Sequence, residues 1–276
     1  MEIANNANRK AGDMSDLEIN WIKPAAFPQL EYGQVHLWAA SLDQGRERLP
    51  ALASILSTDE RDRAGRFHFE RDRLRFTVAR AMLRLILGHY LRINPLEVTF
   101  EYGSQGKPAV VNAPPASALH FNSSHSEELA LLAVTNVCPV GIDVERVREL
   151  KDAGDIARRF FSSRENAALN ALPRDQMLEA FFDLWTRKEA LLKATGEGLG
   201  DSLDHMEVLS PKEKAAVKID LQAVSLSAAG WTFQKLAPAT GFKAALAVAG
   251  PSLPALPLQW TLDCQRRPEN GVKTPI

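Results

Sequence analysis

Cysteine and long apolar runs are both scarce in this chain. Only Cys138 and Cys264 occur among 276 residues, which argues against a disulfide scaffold and against a zinc site built from cysteine thiolates. No stretch reaches the roughly 18 apolar residues of a membrane span, and the N-terminus lacks the apolar segment of a secretory signal. We therefore expect a soluble protein of the reducing cytoplasm, without a membrane partner.

The chain also lacks a charge excess of either sign. Its 33 lysines and arginines balance 34 aspartates and glutamates, so no overall field favours nucleic acid or an anionic membrane as a partner. Apolar residues make up 45% and charged residues 24%, which is typical of a globular chain with one large or two smaller domains. Basic residues are dense only in 61–66 and 71–75, where they can serve an anionic ligand.

One short run carries two acidic side chains in a strand pattern. In residues 140–147 (VGIDVERV), valine and isoleucine alternate with Gly141, Asp143 and Glu145. A strand with this pattern buries the apolar set and presents both carboxylates on its other face. Two carboxylates on one face, about 7 Å apart, can share a hard cation such as Mg²⁺.

A second run, residues 185–196 (WTRKEALLKATG), has the period of a helix and places Glu189 and Lys193 one turn apart. Such a pair is most often a solvated surface pair worth about 0.3–0.5 kcal/mol. Here the flanking residues are those of a mostly buried helix, in which charged side chains need partners. We interpret Trp185 as packing that holds this helix rather than as a ligand contact.

Both runs resemble the signature blocks of the Sfp-type 4′-phosphopantetheinyl transferases. The resemblance spans roughly residues 35–248 and includes further blocks in the family's order. These blocks are Arg61–Arg84, Gly106–Pro108 (GKP), Phe121–Ser126 (FNSSHS), Gly141–Glu145 (GIDVE), Phe160–Glu165 (FFSSRE) and Trp185–Lys193 (WTRKEALLK).

The resemblance implies an α/β (α+β) fold with two similar lobes related by a pseudo-twofold, and a site in the cleft between them. We expect a disordered lead at 1–20, an N-terminal lobe at 35–136, a C-terminal lobe with the carboxylates at 137–250, and a loose proline-rich tail at 251–276. A weak internal repeat aligns Arg80–Arg84 with Lys188–Leu192, with about fifteen extra residues in the second copy. Residues 108–117 are expected to be a connector.

The family's site residues carry over to this sequence one by one. The metal ligands would be Asp143, Glu145 and Glu189, and the catalytic residues would be Glu189, Lys193 and Asp143. Coenzyme A would contact Arg63, Arg80, Lys107, Ser124, His125, Asp143, Glu189 and Lys193. Arg80 lies inside an otherwise apolar helix, so we expect it to pair with either an internal carboxylate or a ligand phosphate.

The resemblance implies transfer of the phosphopantetheine arm of coenzyme A to a serine of an apo acyl or peptidyl carrier protein, with Mg²⁺ (or Mn²⁺) bound and 3′,5′-ADP released. Two alternatives use the same residues: a metal-dependent coenzyme A pyrophosphate hydrolase, and a non-catalytic module that binds coenzyme A or a carrier protein. A monomer is expected, since two lobes in one chain can form the cleft. The carrier served, the docking surface and the choice between Glu189 and water as base stay open.

Overall fold

The computed structural model describes residues 19–114, 119–197, 203–208, 218–219 and 230–262. Its first half runs from a strand through three helices to four further strands. These elements are β1 (Val35–Ser41), α1 (Leu49–Ile55), α2 (Thr58–Gly65), α3 (Glu70–Leu91), β2 (Phe100–Tyr102), β3 (Pro108–Val110), β4 (His120–Ser126) and β5 (Leu129–Thr135).

The second half repeats the same order of elements. These are β6 (Val140–Arg146), α4 (Ala153–Phe160), α5 (Ser163–Asn170), α6 (Arg174–Thr195), β7 (Met206–Glu207), β8 (Lys218–Ile219), β9 (Trp231–Leu236) and β10 (Phe242–Ala249), and β11 (Ala255–Gln259) follows. The strand order β1-β5-β4 in one sheet matches β6-β10-β9 in the other, and the hairpins β2-β3 and β7-β8 correspond. The chain is thus an α/β fold of two similar halves.

The repeat extends to how each long helix is anchored. A capping box begins α2 with Glu60 and α5 with Glu165, because each glutamate bonds back to the N-cap backbone. Glu60 then pairs with Arg84 on α3, and Glu165 pairs with Lys188 on α6. Arg84 and Lys188 are both the fifteenth residue of a 22-residue helix, so they occupy equivalent positions in the two halves. The predicted internal repeat aligned Lys188 with Arg80, and its register is therefore wrong by one turn.

Four layers position the site. Helix α3 covers the outer face of the β1 sheet, and α6 covers the outer face of the β6 sheet. The inner faces of the two sheets pack against each other through alternate residues, among them Leu37 and Leu131 from one sheet and Ile142 and Leu246 from the other, all at most 1% exposed. The predicted alternation of 140–147 is therefore observed: one face of β6 is core, and its other face meets α6.

Two predictions about irregular segments are wrong. Residues 255–259 of the supposed tail form β11, which pairs in parallel with β1 and is followed by the fully buried Trp260. Pro257 is tolerated there because β11 is an edge strand. Residues 108–110 of the supposed connector form β3, which pairs with β2. Most of the predicted lead, residues 1–18, and the rest of the tail, residues 263–276, lie outside the described residues.

No helix among the described residues is both long enough and apolar enough to cross a membrane.

Candidate active site

The site begins with a close approach between β6 and α6. Gly141 lies directly against the helix, since a Cβ atom built on it would overlap the carbonyl oxygen of Ala190 and lie 2.8 Å from Cβ of Ala194. Only glycine permits this spacing. The approach brings Asp143, two residues along β6, to Lys193 on α6.

Strands β4 and β6 meet at a seam between the two sheets that is made by side chains. Alternate residues of β4 accept hydrogen bonds from alternate backbone N–H groups of β6, in place of the carbonyl groups of a normal ladder. The three bonds run from Ile142 to Oδ1 of Asn122 (2.8 Å), from Val144 to Oγ of Ser124 (3.4 Å), and from Arg146 to Oγ of Ser126 (3.1 Å). The seam therefore joins the first half of the chain to the acidic strand of the second.

Asp143 lies at the centre of the site and is 2% exposed. Its Oδ1 accepts hydrogen bonds from Nζ of Lys193 at 2.6 Å and from Oγ of Ser124 at 2.9 Å. Burial raises the pKa of the Asp143 carboxyl, while Lys193 and Ser124 act against that rise. Its Oδ2 atom is buried without a hydrogen-bond partner among the described residues, so one acceptor remains for a ligand or cation.

Two further carboxylates share the electrostatic environment of Asp143. Burial, followed by the charge of Asp143, raises the pKa of Glu145, whose Oε2 accepts a hydrogen bond from Oγ of Ser126 at 3.0 Å. Burial first, and then the charges of Asp143 and Glu145, raise the pKa of Glu189 to about 7 against the opposing charge of Lys193. The three acidic side chains that the sequence singled out thus repel one another in one place.

The donor atoms of the predicted metal ligands suit a hard cation, although the three side chains are not gathered into a complete metal site in the structure. Across the described ranges, no three His, Cys, Asp or Glu side chains lie close enough together to hold a metal ion as they stand. The donor set is nevertheless all oxygen, the charge of Asp143 raises the pKa values of Glu145 and Glu189, and Oδ2 of Asp143 has no hydrogen-bond partner among the described residues. Those properties fit a hard cation such as Mg²⁺, so the assignment of Asp143, Glu145 and Glu189 stays a prediction.

His125 and Arg63 lie next to this centre on the side of the first half. His125 is exposed at the surface. Partial burial is the largest cause that lowers its pKa, the positive charge of Lys193 lowers it further, and Arg63 makes a smaller contribution. Arg63 is exposed and stacks over the ring of Phe76, 5.3 Å from its centroid. This part of the site is therefore cationic and accessible, as an anionic ligand requires.

Lys107 connects the β2–β3 hairpin to the end of α6. Its Nζ donates to the carbonyl oxygen of Ala194 at 2.8 Å, so it caps the C-terminal end of the helix that carries Glu189 and Lys193. Burial lowers its pKa. Lys107 also lines a cavity of about 310 Å³ together with His120 and mainly apolar residues from both halves.

The chain resembles a known protein along most of its length. The 4′-phosphopantetheinyl transferase HetI of Nostoc sp. strain PCC 7120 is 42% identical over 235 residues, which cover 85% of this chain and 95% of the relative. The chain belongs to the 4′-phosphopantetheinyl transferase family. Models of the superfamily and of a 4′-phosphopantetheinyl transferase N-terminal region match residues 139–247 and 38–137, respectively.

Two other known proteins are less similar to this transferase. The 4′-phosphopantetheinyl transferase Sfp of Bacillus subtilis strain 168 is 31% identical over 155 residues, 56% of this chain and 66% of that protein. A solved holo-(acyl-carrier-protein) synthase from Bacillus anthracis, in complex with CoA (3′,5′-ADP), covers 42% of this chain and 97% of its own at 19% identity and a TM-score of 0.34. The assignment rests on the sequence matches, which confirm the predicted family and with it the α/β transferase fold.

Arg80 of the transferase is occupied by an internal carboxylate. Its guanidinium pairs with Glu60 and donates to the Tyr102 hydroxyl at 2.8 Å, while Glu60 also binds Arg84 at 2.6 Å. Of the two partners expected for Arg80, the structure contains the carboxylate. The predicted contact between Arg80 and coenzyme A stays a prediction, and no contact among the described residues supports it.

Sequence reasoning missed two residues that shape the site, Ser126 and Asn122. Both share the β4 face of Ser124, and the alternation of short polar side chains at 122, 124 and 126 was the available signal. The role of these side chains could not be predicted from it, because their hydrogen-bond partners depend on β6 lying beside β4.

Proposed function

We propose that this protein transfers the phosphopantetheine arm of coenzyme A to a serine of an apo acyl or peptidyl carrier protein, with Mg²⁺ bound and 3′,5′-ADP released. The observation that carries the proposal is the contact of Lys193 with Asp143, with Glu145 and Glu189 within electrostatic reach of both, in a chain of the 4′-phosphopantetheinyl transferase family. A pyrophosphate substrate needs this combination of cation ligands and a positive side chain, because negative charge builds on its oxygens during transfer.

The carboxylates of Asp143, Glu145 and Glu189 would hold the metal. Bound there, Mg²⁺ (or Mn²⁺) would supply positive charge to pyrophosphate oxygens and lessen the repulsion among the three acids. Support for this assignment comes from Oδ2 of Asp143, which is buried without a partner among the described residues. An orphaned buried carboxylate oxygen is costly unless a cation or donor satisfies it.

Lys193 has one donor left for the substrate. An ammonium group carries three N–H donors, and two of them are directed to Oδ1 of Asp143 and Oγ of Ser124. The remaining N–H can bind a phosphate oxygen, and the half-exposed side chain, 29% accessible, leaves room for it. His125 and Arg63 would add donors for the phosphates of coenzyme A on the neighbouring surface.

The Ser124 hydroxyl, by contrast, has its single proton committed to Asp143 and receives hydrogen bonds from Lys193 and from the backbone of Val144. In this arrangement Ser124 orients the catalytic groups. Direct donation to a coenzyme A phosphate would require its proton to leave Asp143.

Glu189 is the group best suited to move a proton. In the reaction the carrier serine oxygen forms a bond to the pantetheine-side phosphorus, the bond from that phosphorus to the bridging oxygen breaks, and 3′,5′-ADP leaves. The serine proton would go to the carboxylate of Glu189, directly or through water. A pKa raised to about 7 matches proton transfer near neutral pH, although a bound cation would lower it.

The chain supplies both walls of the site, since β4 belongs to its first half and β6 and α6 to its second. We therefore propose that the protein is a monomer, and the scarcity of cysteine supports the reducing cytoplasm as its compartment. Sedimentation or light scattering of the purified protein would test this oligomeric state, and a dimer at working concentration would contradict it.

Intact-mass spectrometry of several apo carrier proteins tests the function directly. Each carrier is incubated with coenzyme A, Mg²⁺ and the enzyme, and a gain of one phosphopantetheine mass is expected on at least one of them. Glu189→Gln serves as the matched inactive variant, and excess EDTA should abolish the gain. Release of phosphopantetheine from coenzyme A without a carrier would instead indicate a hydrolase, and coenzyme A binding without either product would indicate a binding module.

A further inference from the structure

Ser126 connects the backbone of β6 to a carboxylate that β6 carries. Its Oγ accepts the backbone N–H of Arg146 at 3.1 Å and donates to Oε2 of Glu145 at 3.0 Å. A serine hydroxyl has a single proton, so its donor is committed to Glu145. The bond fixes the far end of a side chain that would otherwise choose among many rotamers.

The hold on Glu145 is weaker than the hold on Asp143. Asp143 is almost fully buried and is bound by both Ser124 and Lys193. Glu145 is only half-buried, and among the described residues Ser126 is the one side chain that donates a hydrogen bond to it. The orientation of Glu145 therefore depends on a single hydroxyl.

We propose that Ser126 is a positioning residue of the metal–pyrophosphate site, holding the Glu145 carboxylate near Asp143 so that it is available to a cation bound there. The inference rests on the proposed function. Ser126 would act through Glu145 without contacting the substrate, as the partners of metal-binding carboxylates commonly do. Loss of such a partner typically weakens metal affinity about 10–100-fold.

Asn122 provides a matched control in the same seam. Its Oδ1 accepts the backbone N–H of Ile142 at 2.8 Å, as Ser126 does for Arg146. None of the side-chain hydrogen bonds found for Asn122 in the described part of the chain involves a carboxylate. Asn122→Ala thus removes a seam contact alone, whereas Ser126→Ala removes a seam contact and the support of Glu145.

The test measures equilibrium binding of Mn²⁺ to the full-length protein with coenzyme A present, by the electron paramagnetic resonance signal of free Mn²⁺. We expect Ser126→Ala to raise the dissociation constant for Mn²⁺ about 10-fold. Ser126→Thr, which keeps the hydroxyl, should stay within about threefold of the wild-type value. Asn122→Ala should lower the melting temperature but change the Mn²⁺ affinity less than about twofold. In turnover assays, Ser126→Ala should raise the Mg²⁺ concentration for half-maximal rate more than it raises KM for coenzyme A.

Three results would overturn the proposal: unchanged Mn²⁺ affinity in Ser126→Ala, equal losses in Ser126→Ala and Asn122→Ala, or no recovery in Ser126→Thr. If Ser126→Ala does not fold, Ser126→Cys, which keeps the volume with a weak donor, is judged by the same criteria. Failure of the proposed function is distinct, because the wild-type protein itself would then bind no Mn²⁺ in the presence of coenzyme A, and both proposals would fall.

Discussion

The burial of Glu189, together with the carboxylates near it, should make the metal-free protein less stable as the pH rises. Burial, Asp143 and Glu145 raise the pKa of Glu189 from 4.5 to about 7. Between these two values the unfolded chain has lost a proton that the folded chain retains, so the free energy of unfolding falls by about 1.4 kcal/mol per pH unit. The total loss due to this one group is about 3 kcal/mol and is complete above pH of about 7.

Urea unfolding in EDTA at several values between about pH 5 and 8 would measure this loss. Glu189→Gln has nearly the same shape and cannot ionise, so its free energy of unfolding should lack the Glu189 contribution. We expect it to exceed the wild-type value by about 3 kcal/mol at the upper end of the range and by little at the lower end. The exposed Glu149→Gln is the matched control and should follow the wild-type curve.

Two outcomes would refute this reasoning. The first is that the stability curves of wild type and Glu189→Gln are parallel across the pH range, which would mean that neither burial nor the neighbouring carboxylates raise the pKa of Glu189. The second is a Glu189→Gln protein that is less stable than wild type at the upper end of the pH range. Mg²⁺ adds a further check, since it should stabilise wild type at high pH more than it stabilises Glu189→Gln.

Three further predictions follow from the geometry. Gly141→Ala should cost about 3 kcal/mol or more in urea unfolding, because its Cβ overlaps α6, whereas Gly65→Ala, with open space, should not. Lys193→Ala should lower kcat about 100-fold or more and weaken coenzyme A binding in calorimetry; near-normal turnover would make Lys193 a mere ion-pair partner. His125→Ala should chiefly raise KM for coenzyme A and reduce discrimination against dephospho-coenzyme A, and unchanged discrimination would exclude it from reading the 3′-phosphate.

The central part of the site could be predicted from the sequence because it depends on local periodicity. The alternation in 140–147 correctly indicated which face of β6 carries Asp143 and Glu145, and the helical period placed Lys193 one turn from Glu189. Both are short-range properties of a strand and a helix. The apolar residues of the helix also indicated that it is buried and that Glu189 and Lys193 are not a solvated surface pair. The structure agrees, since Lys193 binds Asp143.

The errors have a different origin, namely long-range contacts. Proline content suggested that residues after 251 were loose, yet Pro257 lies in an edge strand that pairs with β1 more than 200 residues earlier. The partner of Arg80 could be narrowed to a carboxylate or a phosphate, but Glu60 became the choice only because α2 packs beside α3. The seam residues Asn122 and Ser126 likewise acquire their partners only when the two halves meet.

The two halves also show why a repeated scaffold contains one acidic centre. The fourth residue of β1 is Trp38 and the fourth of β6 is Asp143, while the penultimate residue of α3 is Tyr90 and that of α6 is Ala194. In the first half the Tyr90 hydroxyl accepts from Nε1 of Trp38 at 2.9 Å and lies 2.6 Å from Nδ1 of His36, so aromatic rings fill the space between strand and helix.

At the corresponding place in the second half, glycine replaces His36 and alanine replaces Tyr90. The helix therefore approaches the strand directly, and the polar residues close to these two positions, Asp143 and Lys193, meet without an intervening ring. The same backbone plan thus yields a packed aromatic cluster in one half and a charged centre in the other. Large side chains in place of Gly141 and Ala194 would push the helix away from the strand, so that it could no longer bring Lys193 to Asp143. The site would then be lost although its carboxylates are unchanged.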